Sequence, residues 1–263
     1  MQDARARRFE PRAQAQNFVT DTRSTGGKSR RGLSRYEKNL IINHWAMRQN
    51  ARYALHDSTE LRTIVKRKND SVIGNGLILD PTPDENILGI DEQTLETWAN
   101  DIKSRFHLWA KSKKSDKTGT NNFYQNMRFY GWQFGRDGEV FIRLHYSDDP
   151  TLTNPVQVSF IDPNQVRGDE FTFSLGPQTQ DTGIEHDENG KEIAYKVWIE
   201  DPQKPGRYKN ETIPAFDEKT GLPLMLHGFI PEYVGQKRGY PEFSHGLQDF
   251  EDITSYTSST AKK

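Results

Sequence analysis

The sequence FGRDGEVFIR (residues 134–143) marks the point at which the hydrophobic pattern changes its period. Before this point, apolar residues recur every three or four positions, as on one face of a helix: Phe123, Met127, Tyr130 and Phe134. After it, they recur every second position, as in a half-buried strand: Val140, Ile142 and Leu144. The pattern therefore predicts a helix that ends at Asp137-Gly138 and a strand that follows directly.

Outward from this point, the chain divides into regions of different pattern. Residues 1–33 are rich in Arg, Gln, Ser and Gly without periodicity, which is typical of a flexible arm. Helical spacing continues through residues 34–120 and through the helix at 121–138, whereas residues 139–238 are rich in strand patterns. Residues 239–263 return to helical spacing. The sequence thus predicts an α+β protein with a basic arm, a helical layer, a β-rich middle and a terminal helix.

Several elements are predicted with definite bounds. Asp57 with Glu60 resembles a helix start, and that helix is expected to run towards Asp70 and to break at residues 72–76. Leu77-Ile78-Leu79 is predicted to be a short strand, closed by Asp80-Pro81. The further strand candidates are Val156–Ile161, Phe171–Leu175, Ile193–Ile199 and Leu222–Phe229.

The composition indicates a thin core that is completed against neighbouring copies. Only 33% of the 263 residues are hydrophobic and 28% are charged, yet the chain holds 14 Phe, 10 Tyr and 5 Trp, which argues against general disorder. There are no cysteines, which excludes disulfides, thiolate metal sites and cysteine nucleophiles. No apolar stretch approaches the roughly 18 residues of a membrane span, so we expect a protein made in a cytoplasm.

The net charge of −1 conceals an uneven distribution. Residues 1–70 carry 16 Lys and Arg against 7 Asp and Glu, whereas residues 71–263 carry 20 against 30. A basic arm on an acidic body suits contact with a partner or with DNA at one end, and a solubilising tail that binds nothing is an equal alternative. The arm residues proposed for such contacts are Arg5, Arg7, Arg8, Lys28, Arg30 and Arg31.

No motif for catalysis, metal binding or a cofactor stands out. Gly27-Lys28-Ser29 resembles the end of a phosphate-binding loop, but Thr22 occupies the position of the first glycine. The seven histidines show no HExxH spacing, and no Gly-x-Ser-x-Gly elbow is present. Carboxylates are abundant, but nothing in the sequence selects a metal-binding pair among them. Examples are Asp137, Glu139, Asp148, Asp149, Asp162, Glu200 and Asp201. We therefore expect no enzyme and no cofactor.

The terminal helix, residues 241–263, is predicted to have two distinct faces. At 100° per residue, Phe243, Leu247 and Phe250 share one face, which should pack against another helix or a neighbouring subunit. The opposite face carries three acidic residues that no basic side chain is expected to pair: Glu242, Asp249 and Asp252. That face is either an ordinary solvated surface or the lining of a channel that repels phosphate.

Five segments occur in a recognisable order along the chain. Their central parts are V-I-G-N-G-L at 72–77, D-G-E-V-F-I-R at 137–143, I-D-P-N-Q-V at 161–166, the G-I-E to A-Y hairpin at 183–195, and H-G-F followed by G-Q-K-R-G at 227–239. In this order they resemble the N-terminal half of the lambda-like tailed-phage portal proteins. One departure is His56-Asp57-Ser58, where that family often has Asn-Asn-Pro.

The resemblance implies a structural subunit of a ring of about twelve copies at one capsid vertex, through which phage DNA is packaged and ejected. Residues 34–120 would belong to the wing, residues 139–238 to the wing and clip, and residues 121–138 and 239–263 would be candidate stem helices. The implied partners are other copies of the chain, the terminase large subunit, head-completion or adaptor proteins, and the major capsid or scaffolding protein. Double-stranded DNA would pass without sequence-specific contacts. The implied location is the virion, after assembly in the bacterial cytoplasm, with no membrane and no cofactor.

Two alternatives stay open at this point. One is a metal-dependent packaging nuclease that uses two of the carboxylates. The other is a monomeric DNA-binding protein whose affinity resides in the basic arm and weakens with salt. The last residues carry no helix stop signal, so the sequence is also expected to continue beyond Lys263.

Overall fold

The computed structural model describes residues 33–152, 154–168, 171–172, 176–177, 182–201, 203–232, 234–247, 250 and 256. Among these residues, five α-helices precede the strands: α1 (Leu33–Asp57), α2 (Thr59–Ile73), α3 (Glu85–Leu88), α4 (Glu92–Lys111) and α5 (Phe123–Asp137). Two short 3-10 helices accompany them, Lys113–Ser115 and Glu242–Gly246. Within the described residues, no helix is both long and apolar enough to cross a bilayer.

The strands all lie between α5 and the second 3-10 helix. They are β1 (Glu139–Tyr146), β2 (Val156–Ile161), β3 (Phe171–Thr172), β4 (Gly176–Pro177), β5 (Ile184–His186), β6 (Glu192–Glu200), β7 (Tyr208–Pro214) and β8 (Met225–Phe229). They form an antiparallel sheet of order β2-β1-β8, a second of order β5-β6-β7, and the pair β3-β4. The predicted α+β class is therefore confirmed, with the helices before the sheets.

The change of period at residue 138 is the boundary between the two layers. Asn122 caps α5 with a reciprocal capping box to Gln125, which satisfies backbone donors at the start of the helix. At the other end, Gly138 adopts the left-handed conformation (φ 78°) and its N–H donates to Phe134 O. Glu139 follows at once as the first residue of β1.

Three local predictions for the helical layer are wrong. The residue that caps α2 is Ser58, whose hydroxyl accepts from the Leu61 N–H at 3.2 Å, rather than Asp57. The helix also extends beyond Asp70 to Ile73, since only Gly74 breaks it. Leu77-Ile78-Leu79 is not a strand, because it joins neither sheet.

In the β-rich region, three of the further strand candidates are confirmed, whereas β7 was not predicted. β2, β6 and β8 lie where strand patterns predict them, and only Phe171–Thr172 of the candidate Phe171–Leu175 falls within the described residues. β7 was not among the strand candidates, because its sequence YKNETIP is polar and largely exposed. Polar edge strands carry no alternating hydrophobic signal.

Two apolar clusters hold the described residues together. The larger lies between the sheets and contains Phe141, Ile161, Val166, Ile184, Tyr195, Val197, Ile213, Ala215 and Met225. The smaller lies in the helical layer around Leu55, Leu61 and Val65, and Trp132 of α5 packs against it. Val166 and Val197 form an isolated bridge, so the segment after β2 connects the first sheet to the second.

The two glycine-containing turns at 138 and 239 approach each other closely. A Cβ atom at Gly138 would lie 1.9 Å from Tyr240 O, and one at Gly239 would lie 2.2 Å from Gly138 O. Both distances are far below van der Waals contact. The chain after β8 can therefore pass directly over the start of β1 only because both positions lack a side chain.

We expect the substitution Gly138→Ala to destabilise the protein more than Gly190→Ala. Both glycines have positive φ, +78° and +84°, but a Cβ at Gly190 meets nothing within 4 Å. The backbone strain alone costs about 1–2 kcal/mol, and the clash at Gly138 adds about 1–3 kcal/mol. Urea unfolding of both variants measures the difference, and equal losses would contradict the close approach.

Candidate functional site

The carboxylate of Glu139 is the centre of a buried group of charged residues. Glu139 is 0% exposed, and in β1 its side chain lies on the same face as Phe141. An ionised carboxylate in such a place is very costly unless cations and hydrogen-bond donors surround it. The rest of the chain supplies them from several distant segments.

Three groups of donors satisfy this carboxylate. Arg238 binds it in bidentate fashion, with Nε 2.9 Å from Oε2 and Nη2 2.6 Å from Oε1. Arg48 of α1, which is 1% exposed, donates from Nη1 to Oε1. The backbone N–H of Gly239 donates to Oε2 at 2.9 Å. The helical layer and the segment after β8 therefore meet on a single side chain of β1.

Arg238 uses its remaining donors on backbone carbonyls. Nη1 donates to Val166 O at 2.8 Å and to Thr182 O at 2.5 Å, and Nη2 donates to Pro163 O at 3.0 Å. These carbonyls belong to the segments that lead from the first sheet to the second. Arg238 is thus a buried cross-link of three chain segments, and a Lys could not reproduce its planar set of donors.

A second ionic group lies beside the first. Arg52 of α1 donates to both oxygens of Asp137 at 2.8 Å and to both oxygens of Asp162 at 2.9 and 3.0 Å. Arg136 also binds Asp137, at 3.0 and 2.6 Å. Burial opposes the charge of Arg52, but the hydrogen bonds to Asp137 and Asp162 raise its pKa above the ordinary value. The helical layer is therefore fixed to both ends of the first hairpin.

His227 of β8 joins the two sheets. Its Nε2 lies 3.2 Å from Glu139 Oε2 and its Nδ1 lies 2.8 Å from Glu192 Oε1, at the start of β6. Only the protonated imidazolium can donate from both nitrogens. The ring is fully buried and stacks between Phe141 (centroids 4.3 Å apart) and Phe229 (4.7 Å), whose π faces favour a cation.

The pKa values follow from this arrangement. Burial would raise the pKa of Glu139, but Arg238 and Arg48 outweigh it and hold that pKa well below its usual range. Burial would lower the pKa of His227, but the hydrogen bonds to Glu139 and Glu192 raise it above 6.5. Burial also lowers the pKa of Arg48. We call these nine residues the ionic junction: Arg48, Arg52, Arg136, Asp137, Glu139, Asp162, Glu192, His227 and Arg238.

The ionic junction is built to hold the fold rather than to bind a metal ion. Arginines occupy three of the carboxylates that a nuclease could have used, Asp137, Glu139 and Asp162. A divalent cation would have to displace those guanidinium groups from a buried site. Among the described residues, no cluster of three or more His, Asp or Glu side chains is arranged to hold a metal ion.

The site residues predicted from the sequence lie elsewhere. Phe243, Leu247 and Phe250 pack against Leu55, Leu61 and Val65 of the helical layer. The six basic arm residues, together with Asp249 and Asp252, fall outside the described residues. Their proposed roles therefore stay predictions.

Glu242 lies at the start of the 3-10 helix and is exposed. Its carboxylate accepts a hydrogen bond from Lys68 Nζ of α2, so the expectation that no basic side chain pairs with it is wrong. Residues 242–246 also form a 3-10 helix rather than the first turn of an α-helix. Beyond Gly246, only Leu247, Phe250 and Tyr256 are described, and all three are helical.

The sequence contains a signal for the ionic junction that periodicity does not capture. Glu139 directly precedes a run of apolar residues, and Arg238 stands between two glycine turns, which are unusual places for charged residues. Arg238 belongs to one of the motifs that carry the resemblance, and Glu139 belongs to another as well as to the many carboxylates of the chain. Arg48 and Arg52 look like ordinary polar residues of an amphipathic helix, and nothing local marks them as buried.

We predict that the ionic junction makes stability depend on pH through His227. Its raised pKa contributes stability in full below about pH 6.5, and this contribution is lost as the pH rises through the folded-state pKa. The opposite applies to Glu139, whose lowered pKa contributes stability above about pH 4.5 that is lost on acidification. The substitution His227→Gln should lower the unfolding free energy by about 2–4 kcal/mol at pH 6. It should also remove the loss of stability that wild type shows as the pH rises through the pKa of His227.

The matched control is His56→Gln, because the His56 ring is 86% exposed. Burial lowers the pKa of His145 and of His186, so these two residues change stability with pH in the opposite direction to His227. The informative quantity is therefore the difference in unfolding free energy between wild type and each variant at the same pH. Urea unfolding at intervals from pH 5 to pH 9 provides it. Parallel pH profiles for wild type and His227→Gln would show that His227 is not the charged link between the sheets.

The comparisons with known proteins agree with the motif order. A family model described as phage portal protein, lambda family, matches residues 23–263. This range contains all five of the segments singled out above, and every residue of the ionic junction. A search of curated proteins found no match.

Proposed function

The chain belongs to the lambda family of phage portal proteins, and from this membership we propose that it is a subunit of a ring of about twelve copies through which phage DNA is packaged and ejected. The family is structural, and its members are components of the virion. The observation that carries the proposal is the family match over nearly the whole chain.

The ionic junction supports this function on physical grounds. A portal subunit must keep its parts in fixed orientation while DNA is driven past it. Buried ion pairs add little net stability but penalise every arrangement in which a charge loses its partner. Because Glu139 requires α1, β8 and Arg238 together, it favours a single orientation of the helical layer relative to the sheets.

In this proposal the regions keep the roles that the resemblance implies. Residues 34–120 form part of the wing, residues 139–238 form wing and clip, and residues 121–138 and 239–263 form stem helices. The partners are the terminase large subunit, head-completion or adaptor proteins, and the major capsid or scaffolding protein. The basic arm, residues 1–33, provides a contact to one of these partners or to DNA.

The acidic residues near the end of the chain are proposed to face the channel or its approach. A translocation channel must avoid attractive phosphate contacts, because each would act as friction on moving DNA. Asp249 and Asp252 are the candidates for this role. Glu242 is a weaker one, because Lys68 neutralises it.

The proposal is tested by the assembly state and by the activity of the purified chain. Negative-stain images and a solution mass should show rings of about twelve subunits. DNA incubated with the protein and Mg²⁺ or Mn²⁺ should remain intact. A monomer whose salt-sensitive DNA affinity disappears on deletion of residues 1–33 would favour the DNA-binding alternative. Cleavage that is lost on changing a single carboxylate would favour the nuclease.

We further predict that the double substitution Asp249→Lys and Asp252→Lys preserves ring assembly but slows DNA passage several-fold, because new cations would bind passing phosphates. The readout is the rate of packaging in a reconstituted reaction. The control is Glu188→Lys with Glu218→Lys, the same charge change at two exposed turn residues. Equal rates for both double variants would show that Asp249 and Asp252 do not face the DNA path.

A further inference from the structure

The segment Leu77-Ile78-Leu79 has the sequence of a strand but no strand partner. Gly74 ends α2, the Gly76 N–H donates to Ile73 O at 2.8 Å, and the chain then continues without turn or bend to Asp84. Three consecutive large aliphatic residues next to a glycine turn favour a β conformation. The prediction of a strand failed because neither sheet of the described chain lies beside this segment.

The peptide groups of this segment are unpaired. Throughout the described residues, no hydrogen bond from another part of the chain reaches the backbone N–H or C=O of Leu77, Ile78 or Leu79. Such a row of free donors and acceptors is a template for pairing with another strand. The segment therefore has the main-chain chemistry of an edge strand.

The side chains of the segment are also exposed. Ile78 is 84% exposed and Leu77 is 51% exposed. Further exposed aliphatic residues lie just before and after it in the chain: Val72, Leu79, Ile87, Leu88 and Ile90. Added together, these residues expose on the order of 500 Å² of apolar surface within one stretch of the chain.

Both ends of the segment are held against the helical layer. Gly76 packs so closely on the Tyr124 ring of α5 that a Cβ would lie 2.4 Å from Cδ1. At the other end, Asp80 forms an ion pair with Lys103 of α4 at 2.9 Å. The segment is thus presented in a defined position, which lowers the entropy cost of binding a partner.

We propose that Leu77–Leu79 is a strand that is completed between subunits, pairing with an open sheet edge of a second copy of this chain. This inference rests on the proposed ring and names the surface that would build it. A ring needs a heterologous contact, with one surface on each subunit fitting a different surface on the next. The apolar area is somewhat more than half of the roughly 800 Å² per partner that a stable interface buries.

The chain also offers an edge that could receive this strand. In the first sheet β2 and β8 are the outer strands, and the free side of β2 is met by Lys117, whose N–H donates to Val158 O. β8 has β1 as its strand neighbour on one side. On the other side the Met225 N–H donates to Ala215 O at 3.3 Å, and within the described residues no backbone hydrogen bond reaches Leu226 to Phe229 from that side. A donor strand and an acceptor edge on one chain are what head-to-tail pairing requires.

The test compares the substitution Ile78→Asp with Val234→Asp in the full chain. Both substitutions introduce one charge at a highly exposed aliphatic residue, since Ile78 is 84% exposed and Val234 is 98% exposed. The thermal unfolding temperature of the dissociated chain should therefore not change in either variant. Sedimentation over a range of concentrations should show that Ile78→Asp weakens self-association by roughly a hundredfold. Val234→Asp should assemble like wild type, and Ile78→Val should retain assembly.

Hydrogen exchange gives an independent measurement on the wild-type chain. The amides of Leu77, Ile78 and Leu79 should exchange rapidly in dissociated chains and slowly in the assembled state. If Ile78→Asp assembles as well as wild type, the inference is wrong while the ring proposal stands. If wild type stays monomeric at every concentration, the ring proposal itself fails. Protection of these amides only by a different protein would also overturn the pairing with a second copy.

Discussion

The burial of one carboxylate is the constraint on which the rest of this structure depends. Glu139 is removed from water at the boundary between helices and sheets, where an unpaired negative charge would be prohibitively costly. Its partners Arg48, Arg238 and His227 come from three separate parts of the chain. All three reach Glu139 together only when α1, the first sheet and the segment after β8 are in place. The ion pairs thereby act on the specificity of the fold more than on its net stability.

The surrounding features serve this arrangement. Glycines at 138 and 239 let the two backbones approach closely enough for the Gly239 N–H to bind the carboxylate. The imidazolium of His227 extends the charge pairing to Glu192 and hence to the second sheet. Polar groups in a low-dielectric interior interact strongly, so a network with every member satisfied is rigid. In the proposed ring, such rigidity would fix the geometry that each copy presents to the next.

The same chain leaves other groups unsatisfied at its surface. The aliphatic residues around Ile78 are exposed to solvent. They contrast with the ionic junction, whose charged groups are paired within the chain. A monomeric protein rarely keeps such a surface open. The contrast separates two kinds of interaction: charges that are paired within the chain, and exposed apolar and main-chain groups that we propose to pair with a second copy.

The sequence by itself determined the class of fold, most of the helices and strands, and the family. Each of these follows from local signals: the change of period at residue 138, the capping box at Asn122 and the spacing of short motifs. Only the tertiary structure decided that Glu139 is bound by residues 91 and 99 positions away, and that Leu77–Leu79 lies outside both sheets. Periodicity reports which face of an element is apolar, but it carries no information about which distant charge will meet that face. Buried ion pairs depend on long-range geometry, and therefore the centre of this structure could be recognised in the sequence only as motifs and not as a site.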